Sequence, residues 1–164
     1  MRATVDEEFS RFYRATVGPL TGFLISQGAS VTVAADIAQD TMTLAYSKWM
    51  DIRLPKAWVH TTASRALARR IANTREAPVE DVPEPTSLLP TPDALLEWEL
   101  RQDTLRWLTT LPPRQRQVVA WTLAGFTPAE IARELGLTSE AVRANLLKGR
   151  RRAAQFVQPR KDNQ

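Results

Sequence analysis

The stretch Thr127-Pro128-Ala129-Glu130-Ile131-Ala132-Arg133-Glu134-Leu135-Gly136-Leu137-Thr138-Ser139-Glu140-Ala141-Val142 decides the fold. Thr127 has the chemistry of an N-cap, Pro128 suits the first helical position, and Glu130 completes a capping box. Gly136 suits the left-handed turn that ends a helix. Thr138 can cap the next helix. Two short helices joined by a glycine turn make a helix-turn-helix.

The helix that follows, from Ser139, has two faces at about 100° per residue. Val142, Leu146, Gly149 and Ala153 fall on the side expected to pack on the preceding helices. Glu140, Arg143, Ala144, Asn145, Lys148, Arg151 and Arg152 make the polar, basic front of a recognition helix. In a major groove, Asn reads adenine and Lys reads guanine. Arg150 to Arg152 would then meet phosphates. Basic residues at a helix C-terminus also favour the macrodipole without any DNA. Gly149 is expected to cost its helix about 1 kcal/mol relative to alanine.

Outward from this motif, the pattern stays helical. Upstream, Pro112-Pro113 opens a helix over 114–124, and Leu95, Leu96, Leu100, Leu105 and Leu108 mark another ending near Thr110. From Pro78 to Pro92, both included, there are five prolines, which no helix can run through. Residues 76–100 carry seven acids and no base, so the segment repels itself and reads as an extended linker. Basic blocks flank it: +4 over residues 1–75 and +7 over residues 101–164, within a net charge of +4. Such blocks suit a polyanionic partner.

The N-terminal part reads as three helices. Phe9, Phe12, Tyr13, Val17, Leu20, Phe23 and Leu24 recur at helical spacing, and Gly28-Ala29-Ser30 marks a break. Thr32 is expected to cap a second helix over 33–49, with Ala34, Ala38, Ala45 and Trp49 on its buried side, widened by Ile37 and Leu44. A loop spans Met50 to Pro55. The third helix, over 56–73, carries Trp58, Thr61, Thr62, Arg65 and Arg69 within a sector of about 100°. Val59, Ala63, Ala66 and Leu67 oppose them. An aromatic beside arginines and threonines suits unpaired nucleic acid, although a tryptophan at helical spacing is often core.

Composition narrows the function. With no cysteine and one histidine, His60, the chain offers no thiol chemistry and no multi-histidine metal site. No apolar run approaches the roughly 20 residues of a membrane span. Residues 1–8 lack the apolar core of a signal peptide. A cytoplasmic protein is expected. Asp36 and Asp40 have no nucleophile, metal set or phosphate loop beside them, so they read as surface acids on a protein-binding helix, and His60 as a surface or packing residue. No cofactor and no enzymatic activity are expected. The fold class is all-α, in two small helical domains at 1–75 and 95–158, with the linker at 76–94 and a tail at 159–164.

The order of these motifs resembles the bacterial extracytoplasmic-function (ECF) sigma factors, compact members of the sigma-70 family, over nearly the whole chain. Asp36-Ile37-Ala38-Gln39-Asp40-Thr41 through Trp49 is similar to the region 2.2 helix. Pro55-Lys56-Ala57-Trp58-Val59, with Ala63 and Arg70, is similar to region 2.4. Leu111-Pro112-Pro113-Arg114-Gln115-Arg116, then Ala129-Glu130-Ile131-Ala132 and Leu135-Gly136, is similar to region 4. Arg65 stands where members often carry Asn, Glu140-Ala141-Val142 replaces the usual Gly-Thr-Val, Asn145 a frequent Arg, and Gly149 a frequent Ala.

The resemblance implies an RNA polymerase sigma factor. Asp36, Gln39, Asp40 and Leu44 would bind the beta-prime coiled coil of core RNA polymerase, and the beta flap is a further implied contact. Trp58, Thr61, Thr62, Arg65 and Arg69 would face the minus-ten element, with a flipped base in the Met50–Pro55 loop. The helix from Ser139 would read the minus-thirty-five element of promoter DNA. An anti-sigma protein is a partner class the resemblance allows. The competing reading is a helix-turn-helix transcription regulator whose N-terminal domain dimerises or senses a ligand.

Overall fold

A computed structural model describes residues 2–76 and 104–157. The chain divides into two compact units, Met1–Thr86 and Ser87–Gln164. Among the described residues all regular structure is helical, and no helix is long and apolar enough to cross a membrane. The expected linker lies outside the described residues apart from Glu76, which closes the third helix. So do the tail and the segment holding Leu95, Leu96 and Leu100.

The first unit contains α1 (Arg2–Ser26), α2 (Val31–Ser47), a 3-10 turn (Trp49–Asp51) and α3 (Pro55–Glu76). Pro19 lies inside α1. Both Pro19 and Ala15, whose carbonyl loses its partner there, face solvent, so water can satisfy that oxygen. Leu20, Phe23 and Leu24 on α1, Ala34, Ile37, Ala38 and Met42 on α2, and Val59, Ala63 and Leu67 on α3 form the core. Each large side chain among them contributes about 1.5–3 kcal/mol by leaving water.

Three expectations for α2 need correction. Its cap is Ser30, not Thr32: Ser30 has extended backbone angles (φ −64°, ψ 159°), and its hydroxyl accepts from the Val33 amide. Thr32 is already in the first turn. The helix also stops at Ser47, short of Trp49, which opens the 3-10 turn. Leu44 does not widen the buried side; it is 41% exposed, on the outer face.

The second unit contains α4 (helical residues 104–110), α5 (Pro113–Leu123), α6 (Pro128–Leu135) and α7 (Ser139–Val157). Pro113 occupies the first turn of α5, where its missing N–H costs nothing. At the end of α5, the Phe126 amide reaches back to Trp121 O, and the two rings lie 4.9 Å apart. A backward bond with an apolar contact across it stops a helix cleanly. Leu108, Val118, Trp121, Ile131 and Val142 are fully buried beneath.

Candidate functional site

The expected capping box on α6 is complete. Thr127 Oγ1 accepts from the Glu130 amide at 3.3 Å, and Glu130 Oε2 accepts from the Thr127 amide at 2.7 Å. Gly136 follows at φ 65°, ψ 36°, a conformation costly for a side-chain-bearing residue. Leu137 N–H then closes onto Ala132 O at 2.8 Å. Thr138 Oγ1 accepts from the Ala141 amide, starting α7. The turn thus fixes the direction in which α7 leaves α6.

The faces of α7 fall as the periodicity predicts. Val142, Leu146 and Gly149 are buried against α5 and α6. Glu140, Arg143, Ala144, Lys148, Arg150, Arg151 and Arg152 are exposed. Two of the polar residues are already engaged. Asn145, half-buried, donates from Nδ2 to Ala141 O at 2.8 Å, so a two-point contact with adenine requires it to release its own helix. Arg152 donates from Nη1 to Thr110 O at 2.9 Å, which ties α7 to the end of α4.

Gly149 sits where the backbone of α7 comes closest to α5. A Cβ built there would lie 2.9 Å from Val119 Cγ2. The expected helix penalty of this glycine is therefore offset by a close approach that alanine could not make. Sequence reading had no signal for the contact, because its two partners are thirty residues apart.

In the first unit, Asp36, Gln39, Asp40 and Leu44 are all exposed on α2, opposite the buried Ile37, Ala38, Thr41 and Met42. Asp36 lies 3.9 Å from Arg70 of α3, a half-exposed ion pair. Gln39 exchanges hydrogen bonds with the Tyr13 hydroxyl, at 2.7 Å from its Nε2. Beside them, Phe9 and Phe12 pack on Trp49 with ring centroids 5.2 and 5.1 Å apart. Phe9 also meets Tyr46 at 5.0 Å, and the Tyr46 hydroxyl donates to Asp6. This aromatic cluster joins the start of α1 to the end of α2. The helical spacing marks Phe9, Phe12 and Trp49 without showing that they meet, and it does not single out Tyr46.

On α3, Arg65 and Arg69 are exposed, while Trp58, Thr61 and Thr62 are half-buried on the same side. Val59 and Ala63 lie fully buried behind them. The expected Met50–Pro55 loop is shorter, because Met50 lies in the 3-10 turn and Pro55 opens α3, and Met50 (72%) and Leu54 (66%) are exposed outside the core. His60 takes the packing role: it is 2% exposed, its Nδ1 lies 2.7 Å from Lys56 O, and its ring meets Phe23 edge-on at 4.8 Å. Because a carbonyl only accepts, Nδ1 carries the proton. Burial holds the imidazole below its ordinary pKa, with the Lys56 charge adding to that effect against the opposing backbone bond.

Residues 101–152 match the family described as sigma-70, region 4. Comparison with curated proteins finds no match. Among solved structures, the sigma factor RpoE, crystallised with the anti-sigma factor NepR from Bartonella quintana, shares the fold at a TM-score of 0.64. Identity is 20%, over 92% of this chain and 97% of that one. CnrH, solved with the cytosolic domain of CnrY, gives a TM-score of 0.66 at 20% identity, over 93% of this chain and 88% of that one. The match to sigma-70 region 4 over residues 101–152 thus lies within a chain that shares its fold with RpoE and CnrH.

Proposed function

We propose that this chain is an RNA polymerase sigma factor of the ECF type: a specificity subunit that brings core polymerase to promoters. One observation carries the reading. The helix-turn-helix closed by Thr127, Glu130 and Gly136 lies within a region 4 match, and the chain bears a second helical unit whose α2 exposes Asp36 and Asp40.

In this reading α7 enters the major groove at the minus-thirty-five element. Lys148 and a released Asn145 read base edges, while Arg143 and Arg151 neutralise phosphates. In the first unit, Trp58, Thr61, Thr62, Arg65 and Arg69 face the minus-ten element. Arginines hold its backbone, and the exposed Met50 and Leu54 border a base drawn from the stack. Asp36, Gln39, Asp40 and Leu44 dock the polymerase, with Gln39 steadied by Tyr13. RpoE and CnrH were each solved with a bound partner, so an anti-sigma protein is a partner class for this chain. Catalysis of RNA synthesis stays with the polymerase.

The test is co-elution of the purified chain with core RNA polymerase on size exclusion. A stoichiometric complex is expected. Separate elution at micromolar concentrations of both would refute the reading.

A further inference from the structure

We infer that Gly149 is a positioning residue that sets how deeply the recognition helix is seated, and through that depth the choice of bases. The inference rests on the proposed role of α7 as the reader of duplex DNA. Gly149 is buried at the crossing of α7 and α5, and a Cβ there would stand 2.9 Å from Val119 Cγ2. Real Cβ atoms essentially never come that near.

The neighbour cannot move aside cheaply. Val119 is 4% exposed, and a β-branched side chain in a helix is held to one strongly preferred χ1 rotamer. An added methyl would therefore be relieved by moving α7 outward or rotating it. Lys148 is adjacent to Gly149 and Asn145 lies one turn before it, so a shift here is passed to both base-reading positions. Misplacement of a catalytic or recognition group by about an ångström is enough to lose a directional hydrogen bond.

The contact also explains a local conflict. Glycine is a poor helix former, yet it occupies the interior of a 19-residue helix. Close packing against Val119 supplies the reason.

The test uses the full-length chain bound to core polymerase. Duplexes are first selected from a random pool by the wild-type holoenzyme, and their affinity is compared with scrambled duplexes. Gly149→Ala should lower that preference by about tenfold, the scale of one lost base contact, while leaving core binding intact. Gly149→Ala/Val119→Ala gives the new methyl the space that Val119 vacates, and preference should return toward wild type. Unchanged preference in Gly149→Ala would overturn the inference. So would a double variant that stays folded, by circular dichroism, without any recovery. If Gly149→Ala fails to fold while the double variant folds and reads as wild type, the seat is supported. A wild-type holoenzyme that selects no sequence would instead overturn the DNA-reading role itself.

Discussion

The Arg152 guanidinium donates to the backbone oxygen of Thr110 at 2.9 Å, joining α7 to the end of α4 across 42 residues of sequence. Carbonyls in the last turn of a helix lack intrahelical partners, and a cation placed there is favoured by the helix dipole as well as by the bond. Arg152 therefore holds α7 from its far end, while the α6–α7 turn holds it from its start. Arg151, its exposed neighbour, is free to reach a phosphate in the proposed complex.

That difference separates two adjacent arginines. Arg151→Ala should weaken all duplexes alike and lower the salt dependence of binding by about one counterion. Arg152→Ala should lower thermal stability, by about 1 kcal/mol for a charge-assisted bond at an exposed site. Duplex affinity at several salt concentrations and thermal melts of both variants check this. Equal salt slopes and equal melting temperatures for the two would contradict the distinct roles.

Base reading should depend on Lys148 and Asn145 unequally. Lys148→Ala should cost roughly 1–3 kcal/mol on the selected sequence and much less on scrambled DNA. Asn145→Ala should cost less than Lys148→Ala, because Asn145 must first give up its bond to Ala141 O. Fluorescence-anisotropy titrations of full-length variants measure both. A larger loss for Asn145→Ala would show that the internal bond offers no competition.

Docking on the polymerase should be electrostatic and separable from folding. Asp36→Arg/Asp40→Arg should abolish co-elution with core polymerase. Breaking the half-exposed Asp36–Arg70 pair should cost less than about 1 kcal/mol. Helicity and melting temperature should thus stay near wild type while binding is lost. Undiminished core binding would remove the outer face of α2 as the docking surface.

Acid should weaken the first unit through His60. Its folded pKa is depressed by burial, so below about pH 6.5, the ordinary histidine value, the unfolded chain binds the proton more readily than the folded one. Stability is then full above that pH and falls as pH drops through the window down to the folded pKa. Urea unfolding at pH 7.5 and 5.5 should show this loss in wild type, and a smaller one in His60→Gln. An equal pH dependence in both would assign the acid sensitivity elsewhere.

Sequence sufficed where chemistry is local. The capping box of Thr127 and Glu130, the left-handed Gly136 and the two faces of α7 each depend on residues within one or two turns, so spacing alone carries them. Ser30 was missed as the cap of α2 because Ser30 and Thr32 are both competent caps. The backbone after Gly28 decides between them. Leu44 was misplaced because a leucine satisfies an apolar stripe equally well one helical position outside it. The contacts of Arg152 with Thr110, Gly149 with Val119 and Gln39 with Tyr13 join separate helices. Periodicity describes each helix face and is silent about which residue of another helix meets it.

Promoter opening tests the central claim most directly. Reactivity of unpaired thymines is measured on DNA selected by the holoenzyme, with core polymerase alone, with wild-type chain added, and with Trp58→Ala/Arg65→Ala. Reactive thymines should appear only with wild type and be strongly reduced in the double variant, although that variant still co-elutes with core. No reactivity with wild type, at concentrations where the complex with core is saturated, would contradict a sigma factor.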